Sequence, residues 1–293
     1  MIISDPWPTP IGIIGAGAVG TALCRALVTC GVTVVGVGVR QPTRVTPDSL
    51  PAPILAPTEV VATARLIFLT VPDSAIVAVA GDFPWQAEQW IIHCAGSQPA
   101  DILTNLVAPA QAGAFHPLAA FPRPTAPIAA VENGFTGRVI AVDGPAALVG
   151  GLTLLAERLG ARAITVPAAA RAAYHLSASL VSNLYMALVA QAQDVWATAG
   201  LPADLALSAL LPLIASTHAA LERVGLPDAL VGPVARGDVV TIARHMAVLT
   251  ADPLLVDVAR TYRALVRRSV ALARDLGRTS ATSLDAIAAL VAE

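Results

Sequence analysis

The stretch IGIIGAGAVGTALCRALVTCGVTVVGVGVR, residues 11–40, decides how the rest of the chain is read. Ile11 to Ile14 is a short apolar run of the kind that forms a buried strand, and it stops at a glycine turn. An apolar helical pattern follows through Val28, and Gly31 sits where a helix end favours a residue free to take positive φ. Val32 to Val39 is again β-branched and nearly continuous, as strands covered on both faces are. Strand, turn, helix and strand make one βαβ unit of roughly 30 residues. Its turn reads Gly15-x-Gly17-x-x-Gly20, the dinucleotide fingerprint. The first glycine makes the turn, the second lets a pyrophosphate approach the backbone, and the third lets helix pack on strand.

About 20 residues past such a motif, an NAD-preferring site carries a carboxylate for the ribose 2′-hydroxyl. This chain has Arg40 there, Arg44 behind it and no acid before Asp48. A guanidinium pairs with a 2′-phosphate that a carboxylate would repel, so the expected cofactor is NADP(H). The cofactor-binding set is Gly15, Gly17, Ala18, Val19, Gly20 and Arg40, joined by Val71, Pro72 and Ala95 from later strand ends.

Working outward, Leu66 to Val71 is a strand stopped by Pro72, and Trp90 to His93 is another, stopped by Ala95, Gly96 and Ser97. Val139 to Val142 and Ala163 to Val166 read as strands flanking a helix near Ala146 to Leu159. Gln41 to Pro57 and the Pro-rich His116 to Pro127 read as irregular. Beyond Pro167 strand signals vanish, and long Ala/Leu-rich helical segments punctuated by Gly-Leu-Pro run to the end. The expected fold is an α/β Rossmann domain with a mostly parallel, doubly wound sheet over residues 1–167, followed by an all-α domain over 168–293.

Composition narrows the function. The 293 residues carry 18 basic and 20 acidic side chains, a formal charge of −2, which argues against electrostatic binding to nucleic acid or an anionic membrane. With 56% hydrophobic and 13% charged residues the chain is built to fold, not to stay disordered. Every basic residue is an arginine, and the absence of lysine removes Schiff-base chemistry, a Walker lysine and a lysine proton donor together. Cys24, Cys30 and Cys94 show neither CxxC spacing nor an even number, so a reducing, cytoplasmic setting is expected. MIISDPWPTP lacks the basic and apolar regions of a secretory signal. The most membrane-like stretch, Ala172 to Gln193, is broken by His175, three serines, Asn183 and two glutamines, and is expected to be a buried helix.

The segments IGIIGAGAVGTAL, FLTVPDSAI, HCAGS, GAFHPLAAF, RAAYHLSASLVSN and GPVARGD, in this order, resemble the Rossmann-like proteins with a DUF2520-type C-terminal domain. Those proteins are similar in plan to pyrroline-5-carboxylate reductase, ketopantoate reductase and 6-phosphogluconate dehydrogenase. The resemblance implies NADP(H), an oxidoreductase-class activity and frequent dimerisation through the helical half. Relatives of this plan often use a lysine on the first long helix of the second domain as proton donor, and this chain has none.

His175, Ser179 and Asn183 are spaced i, i+4, i+8, which on a continuous helix is one face. In the layout of the related dehydrogenases that helix runs beside the nicotinamide. His175 is then the candidate proton donor, with Tyr174 as the alternative acid, Asn183 a partner for substrate or cofactor and Ser179 a substrate contact. The competing explanation is a polar network buried between helices. His116, stiffened by Pro117, is a second catalytic candidate. His93 and Ser97 at a strand's carboxyl end are substrate-binding candidates, as is Arg236, whose fork suits a carboxylate. Against these stand capping roles, including Asp238 as the cap of the next helix. Spacing supports no metal site, and nothing lowers the Cys94 thiol to make it a nucleophile.

The expectation is an NADP(H)-dependent oxidoreductase acting on a small, carboxylated carbonyl, imine or hydroxyl compound, homodimeric, with neither nucleic acid nor membrane as partner. A dinucleotide-binding sensor without turnover is the alternative, and a deazaflavin partnered with NADP is a further one.

Overall fold

The computed structural model describes residues 7–41, 50–121 and 134–292. Arg44, Asp48 and most of the Pro-rich stretch before Pro127 lie outside the described residues. Two compact units divide the chain, residues 1–182 and 183–293.

In the first unit β1 (Ile11–Ile14), α1 (Ala18–Thr29) and β2 (Val34–Gly38) form the expected βαβ unit, with Gly31 at φ 75° closing α1. Then come β3 (Ile54–Leu55), α2 (Pro57–Thr63), β4 (Leu66–Leu69), α3 (Ile76–Gly81), β5 (Trp90–His93), β6 (Gln111–Pro117), β7 (Val139–Asp143), α4 (Ala146–Arg158), β8 (Arg162–Thr165) and α5 (Arg171–Val181). The sheet order is β3-β2-β1-β4-β5-β6-β7-β8, parallel throughout except that β7 runs antiparallel to β6.

Period-two alternation explains why these strands are apolar without a break. In β4, Leu66 and Phe68 enter one core with Leu23 and Leu27 of α1 and Leu148 and Leu152 of α4. Ile67 and Leu69 enter the other core, with Val60 of α2 and Ile76 of α3. Both faces are covered at the centre of the sheet, so every position of β1 and β4 is buried and an alternating polar pattern has no place there.

Strands run into both stretches expected to be irregular: β3 lies within the first, and β6 carries its last two residues into the second. Ile54–Leu55 pairs with Val37–Gly38 of β2, and Gln111–Pro117 is a full strand between β5 and β7. His116 therefore stands inside β6, opposite Ala141, and not in a loop. The weak strand signal of QAGAFHP is overridden by pairing on both sides and burial of Ala114 and Phe115.

The stretch from Ala172 to Gln193 is not one buried helix. α5 ends at Val181, Ser182 leaves the helical region at φ −118° and ψ −96°, and α6 (Asn183–Thr198) begins anew. Its apolar side chains, among them Leu176, Leu180, Leu184 and Met186, are exposed.

The second unit continues with α7 (Ala203–Val224), α8 (Pro233–Arg236), α9 (Val239–Ala251), α10 (Val256–Leu276) and α11 (Ala281–Leu290). Ile242, Met246 and Leu249 of α9, Val266 and Val270 of α10, and Leu284 and Ile287 of α11 form its core. α6 contributes no buried residue and α7 only Ala206, so Leu205, Leu207, Leu211 and Leu213 stay exposed. Among the described residues α7 is the single helix long and apolar enough by itself to cross a membrane; α9 with residues 253–276 passes the same test only as a pair bent by 109°.

Candidate active site

The glycine corner follows from three different demands on three glycines. Gly15 takes φ 113°, and a Cβ there would lie 2.8 Å from the Thr70 carbonyl oxygen. Gly20 lies so close to the Gly15 carbonyl and the Thr70 hydroxyl that no side chain fits between α1 and the turn. Gly17 is different: the nearest atom to a Cβ there is 3.8 Å away, so the protein itself leaves that space open. Gly17 is the N-cap of α1, in extended conformation, without a side-chain cap and without an acid in the first turn. The amides of the Ala18–Gly20 turn and the helix dipole thus face outward unneutralised, the arrangement that binds phosphate. Thr70, which sequence reasoning did not single out, ties the end of β4 to this turn by donating its hydroxyl to the carbonyls of Gly15 (2.7 Å) and Ile14 (3.2 Å).

One cavity of about 280 Å³ joins the corner to its surroundings. Gly15, Ala16 and Gly17 line it together with Gly38, Val39 and Arg40 from the end of β2, Val71 and Pro72 after β4, and Asp82 and Phe83 after α3. Of the cofactor set, Gly15, Gly17, Arg40, Val71 and Pro72 line this cavity, and Ala18, Val19 and Gly20 form the first turn of α1. Ala95 stands apart from it: its amide donates to Nδ1 of His93 at 3.2 Å.

A second cluster gathers at the carboxyl edges of β5 and β6. His93 is buried, accepts the Ala95 amide on Nδ1 and, so protonated on Nε2, donates to the Pro99 carbonyl at 3.1 Å. Burial holds its pKa below the usual histidine value. Both ring nitrogens are committed to the backbone, and His93 clamps the loop after β5. That loop presents Gly96 to two rings at once: a Cβ on Gly96 would stand 2.7 Å from Nε2 of His116 and strike Cδ2 of His175.

His116 meets Tyr174 through Nδ1 and the phenol oxygen, 2.9 Å apart, with ring centroids at 5.6 Å and planes at 88°. His175 approaches the same imidazole edge to face, centroids 5.9 Å apart. Burial pushes the His116 pKa down to about 4, reinforced by the positive potentials of His175, Arg171 and His93, so its imidazole is neutral at pH 7. Burial raises the Tyr174 phenol, and the positive charge of Arg171 works against that rise.

Arg171 opens α5 with its side chain wholly buried. Among the described residues none of its guanidinium nitrogens has a hydrogen-bond partner, and its Nη2 lies 3.8 Å from Oδ2 of Asp143 at the end of β7. Asp143 is already engaged, accepting the amides of Ala100 and Gly144 at 2.9 Å each. No local signal marks this burial, because an arginine after three alanines has the pattern of a solvated helix start.

The remaining predicted residues are placed as follows. Ser97 and Ser179 are half-buried in the first unit. Asn183 starts α6 beyond the break at Ser182 and belongs to the second unit, so the His175, Ser179, Asn183 stripe does not lie on one continuous helix. Arg236 is exposed at the end of α8 in the second unit, where Asp238 caps α9 by accepting from the Thr241 amide (3.0 Å) and hydroxyl (2.6 Å). Burial raises the Cys94 thiol to about 12, which keeps it protonated and poorly nucleophilic.

Residues 6–122 match the Rossmann-like domain model, and residues 138–269 match the model of a domain of unknown function, DUF2520. None of the curated proteins matches the sequence. Among solved structures, a Bacteroides fragilis protein provisionally designated an NADP oxidoreductase is 25% identical, with a TM-score of 0.70 over 91% of this chain and 99% of its own. A pyrroline-5-carboxylate reductase of Streptococcus pyogenes is 14% identical, TM-score 0.59, over 95% and 98% of the two chains. A reductive aminase of Aspergillus terreus is 20% identical, TM-score 0.52, over 97% and 92%. The last two likenesses are of fold. The two domain matches follow one another along the chain, Rossmann-like first and DUF2520 second, the second beginning within the sheet at β7.

Proposed function

We propose that the chain is an NADP(H)-dependent oxidoreductase acting on a small carbonyl, imine or hydroxyl compound. The observation that carries this reading is the single cavity shared by the glycine corner, the uncapped start of α1 and Arg40. A diphosphate suits the amides of α1, and the space open beside Gly17 admits it where a side chain would not. Arg40 suits a 2′-phosphate, and the Bacteroides fragilis relative, designated an NADP oxidoreductase, supports the same nucleotide. Bound there, the nicotinamide nucleotide supplies or accepts a hydride.

The chain's own part is to orient the substrate and manage one proton. The His116, Tyr174 and His175 cluster stands at the same carboxyl edge of the sheet, four strand spacings or about 19 Å from β2, a span an extended dinucleotide can bridge. A substrate carboxylate would be met by arginine, the one cationic side chain the sequence has besides histidine. Three free thiols accord with a reducing, cytoplasmic setting.

The assembly is a homodimer in this reading. The exposed leucines of α6 and α7 form more apolar surface than a monomer leaves to water, and Ser208, Ser216, Thr217 and His218 along α7 suit protein better than lipid. Sedimentation velocity should give a dimer at micromolar protein, and a monomer would remove this part.

The decisive experiment is a fluorescence titration with NADPH and NADH, followed by NADPH oxidation assays over 2-oxo acids and cyclic imines. Saturable binding that favours NADPH, with turnover, is expected. Binding without turnover would turn the reading toward a sensor, and no binding of either nucleotide would end it.

A further inference from the structure

We propose that Tyr174 is the residue that exchanges the proton with the substrate, and that Arg171, buried behind it, is the positioning residue that stabilises the phenolate so formed. The proposal rests on the oxidoreductase reading for its redox step, and on the geometry of the cluster for its choice of residue.

His116 of β6 meets the Tyr174 hydroxyl, Arg171 and His175 flank Tyr174 on α5, and the surrounding groups are His93 of β5 and Asp143 of β7, the latter facing Arg171. His93 has both nitrogens bonded to the backbone and none to spare. His116 is neutral above about pH 4, and a neutral imidazole is a very weak acid. Its use is different: in the tautomer protonated on Nδ1, the one the proposed step requires, it donates to the phenol oxygen 2.9 Å away and leaves the phenolic proton free to move. His175 packs its ring against His116 and makes no hydrogen bond to Tyr174.

Arg171 supplies what a phenol lacks. It precedes Tyr174 by three residues, so the two are neighbours on the helix surface. Its guanidinium is buried, with no hydrogen-bond partner for any nitrogen among the described residues, and faces at 3.8 Å a carboxylate that also accepts two amides. A buried cation so poorly matched is costly in the resting protein, and its field is available to any negative charge that develops nearby. The phenolate of Tyr174 is that charge.

In the direction of reduction, the carbon of a C=O or C=N group takes up hydride from the reduced nicotinamide, while the oxygen or nitrogen takes the Tyr174 proton. The O–H bond of Tyr174 breaks, the new O–H or N–H bond forms, and the phenolate regains a proton from water after product leaves. In oxidation the phenolate accepts the proton instead.

The test uses two readouts on the full chain. Phenolate absorbance is titrated in nucleotide-free protein, and because the sequence has only three tyrosines, subtraction of Tyr174→Phe isolates this one. Its ionisation should move to higher pH in Arg171→Met and return toward the original in Arg171→Lys, with Arg171→Gln as the second neutral variant should the methionine variant fail to fold by circular dichroism. NADPH oxidation over the same panel of 2-oxo acids and cyclic imines should fall about 100-fold or more in Tyr174→Phe with NADPH affinity unchanged. The wild-type rate should stay flat through about pH 5 to 8, where a histidine donor would titrate. An ionisation indifferent to Arg171, or Tyr174→Phe turnover within about threefold of wild type, overturns the proposal. Failure of the wild type to bind NADPH sinks the oxidoreductase reading instead. In that case, as when no panel compound turns over, the titration alone decides whether Arg171 governs Tyr174.

Discussion

The Thr70 hydroxyl donates to the Gly15 carbonyl oxygen at 2.7 Å, which fastens the end of β4 to the turn after β1. Thr70→Val keeps the shape and removes the donor. Unfolding in urea should show a loss of about 1 kcal/mol, with NADPH binding weakened several-fold because the corner is held less firmly. If both measurements match wild type, the bond does not brace the corner.

Gly17 separates folding from binding. A Cβ there has its nearest protein atom at 3.8 Å, so Gly17→Ala should change stability by no more than about 1 kcal/mol. The same methyl occupies the approach of a pyrophosphate, and NADPH affinity should fall about tenfold or more. Calorimetric titration beside a thermal melt reads both; unchanged affinity would move the phosphate elsewhere.

Arg40 should choose between the two nucleotides. A charge-assisted hydrogen bond contributes about 1.5 to 3 kcal/mol, so Arg40→Gln should cost NADPH roughly 10- to 100-fold and leave NADH near its original affinity. Equal losses for both would show that Arg40 holds something common to them.

Gly96 sits against two imidazoles with no room for a methyl group. Gly96→Ala should cost about 1 to 3 kcal/mol in unfolding free energy as His116 and His175 are pushed aside. Turnover should fall with it, while NADPH affinity, read by fluorescence, stays near wild type. A variant as stable and active as wild type would mean the two rings are not held by this loop.

His116 gives stability a pH dependence of definite sign. Its folded pKa, about 4, lies below the usual value of 6.5, so between these the unfolded chain binds the proton and the native one does not. The contribution is therefore full above about pH 6.5 and is lost as pH falls toward 4, by about 2 to 3 kcal/mol. His93, lowered by burial as well, acts in the same direction. Urea midpoints measured across this range should drop in wild type and drop less in His116→Asn; parallel curves would contradict it.

The first βαβ unit was legible because three signals coincide there: continuous β-branched runs, a helical period and glycines whose positions only a tight corner requires. Arg40 was legible by its distance from that corner. The last two residues of β6 were not, since His116 and Pro117 head a Pro-rich stretch and it is β7 that supplies their pairing. Nor was the break at Ser182, where neither glycine nor proline interrupts an apolar helical pattern. His116 and His175 were found as separate candidates. Their meeting, and Tyr174 joining them, depends on a loop clamped by His93 and on α5 being anchored by Arg171, which are tertiary facts. Helical spacing separates Tyr174 from His175 by about 100°, yet both rings meet His116.

Arg171 is the one formally charged side chain among the buried described residues, and in a chain without lysine it is necessarily of the kind that does not give up its proton. An ammonium group can serve as both the voltage and the courier. Here those offices belong to different atoms, so acidity and charge at this edge of the sheet can be altered by mutation one at a time.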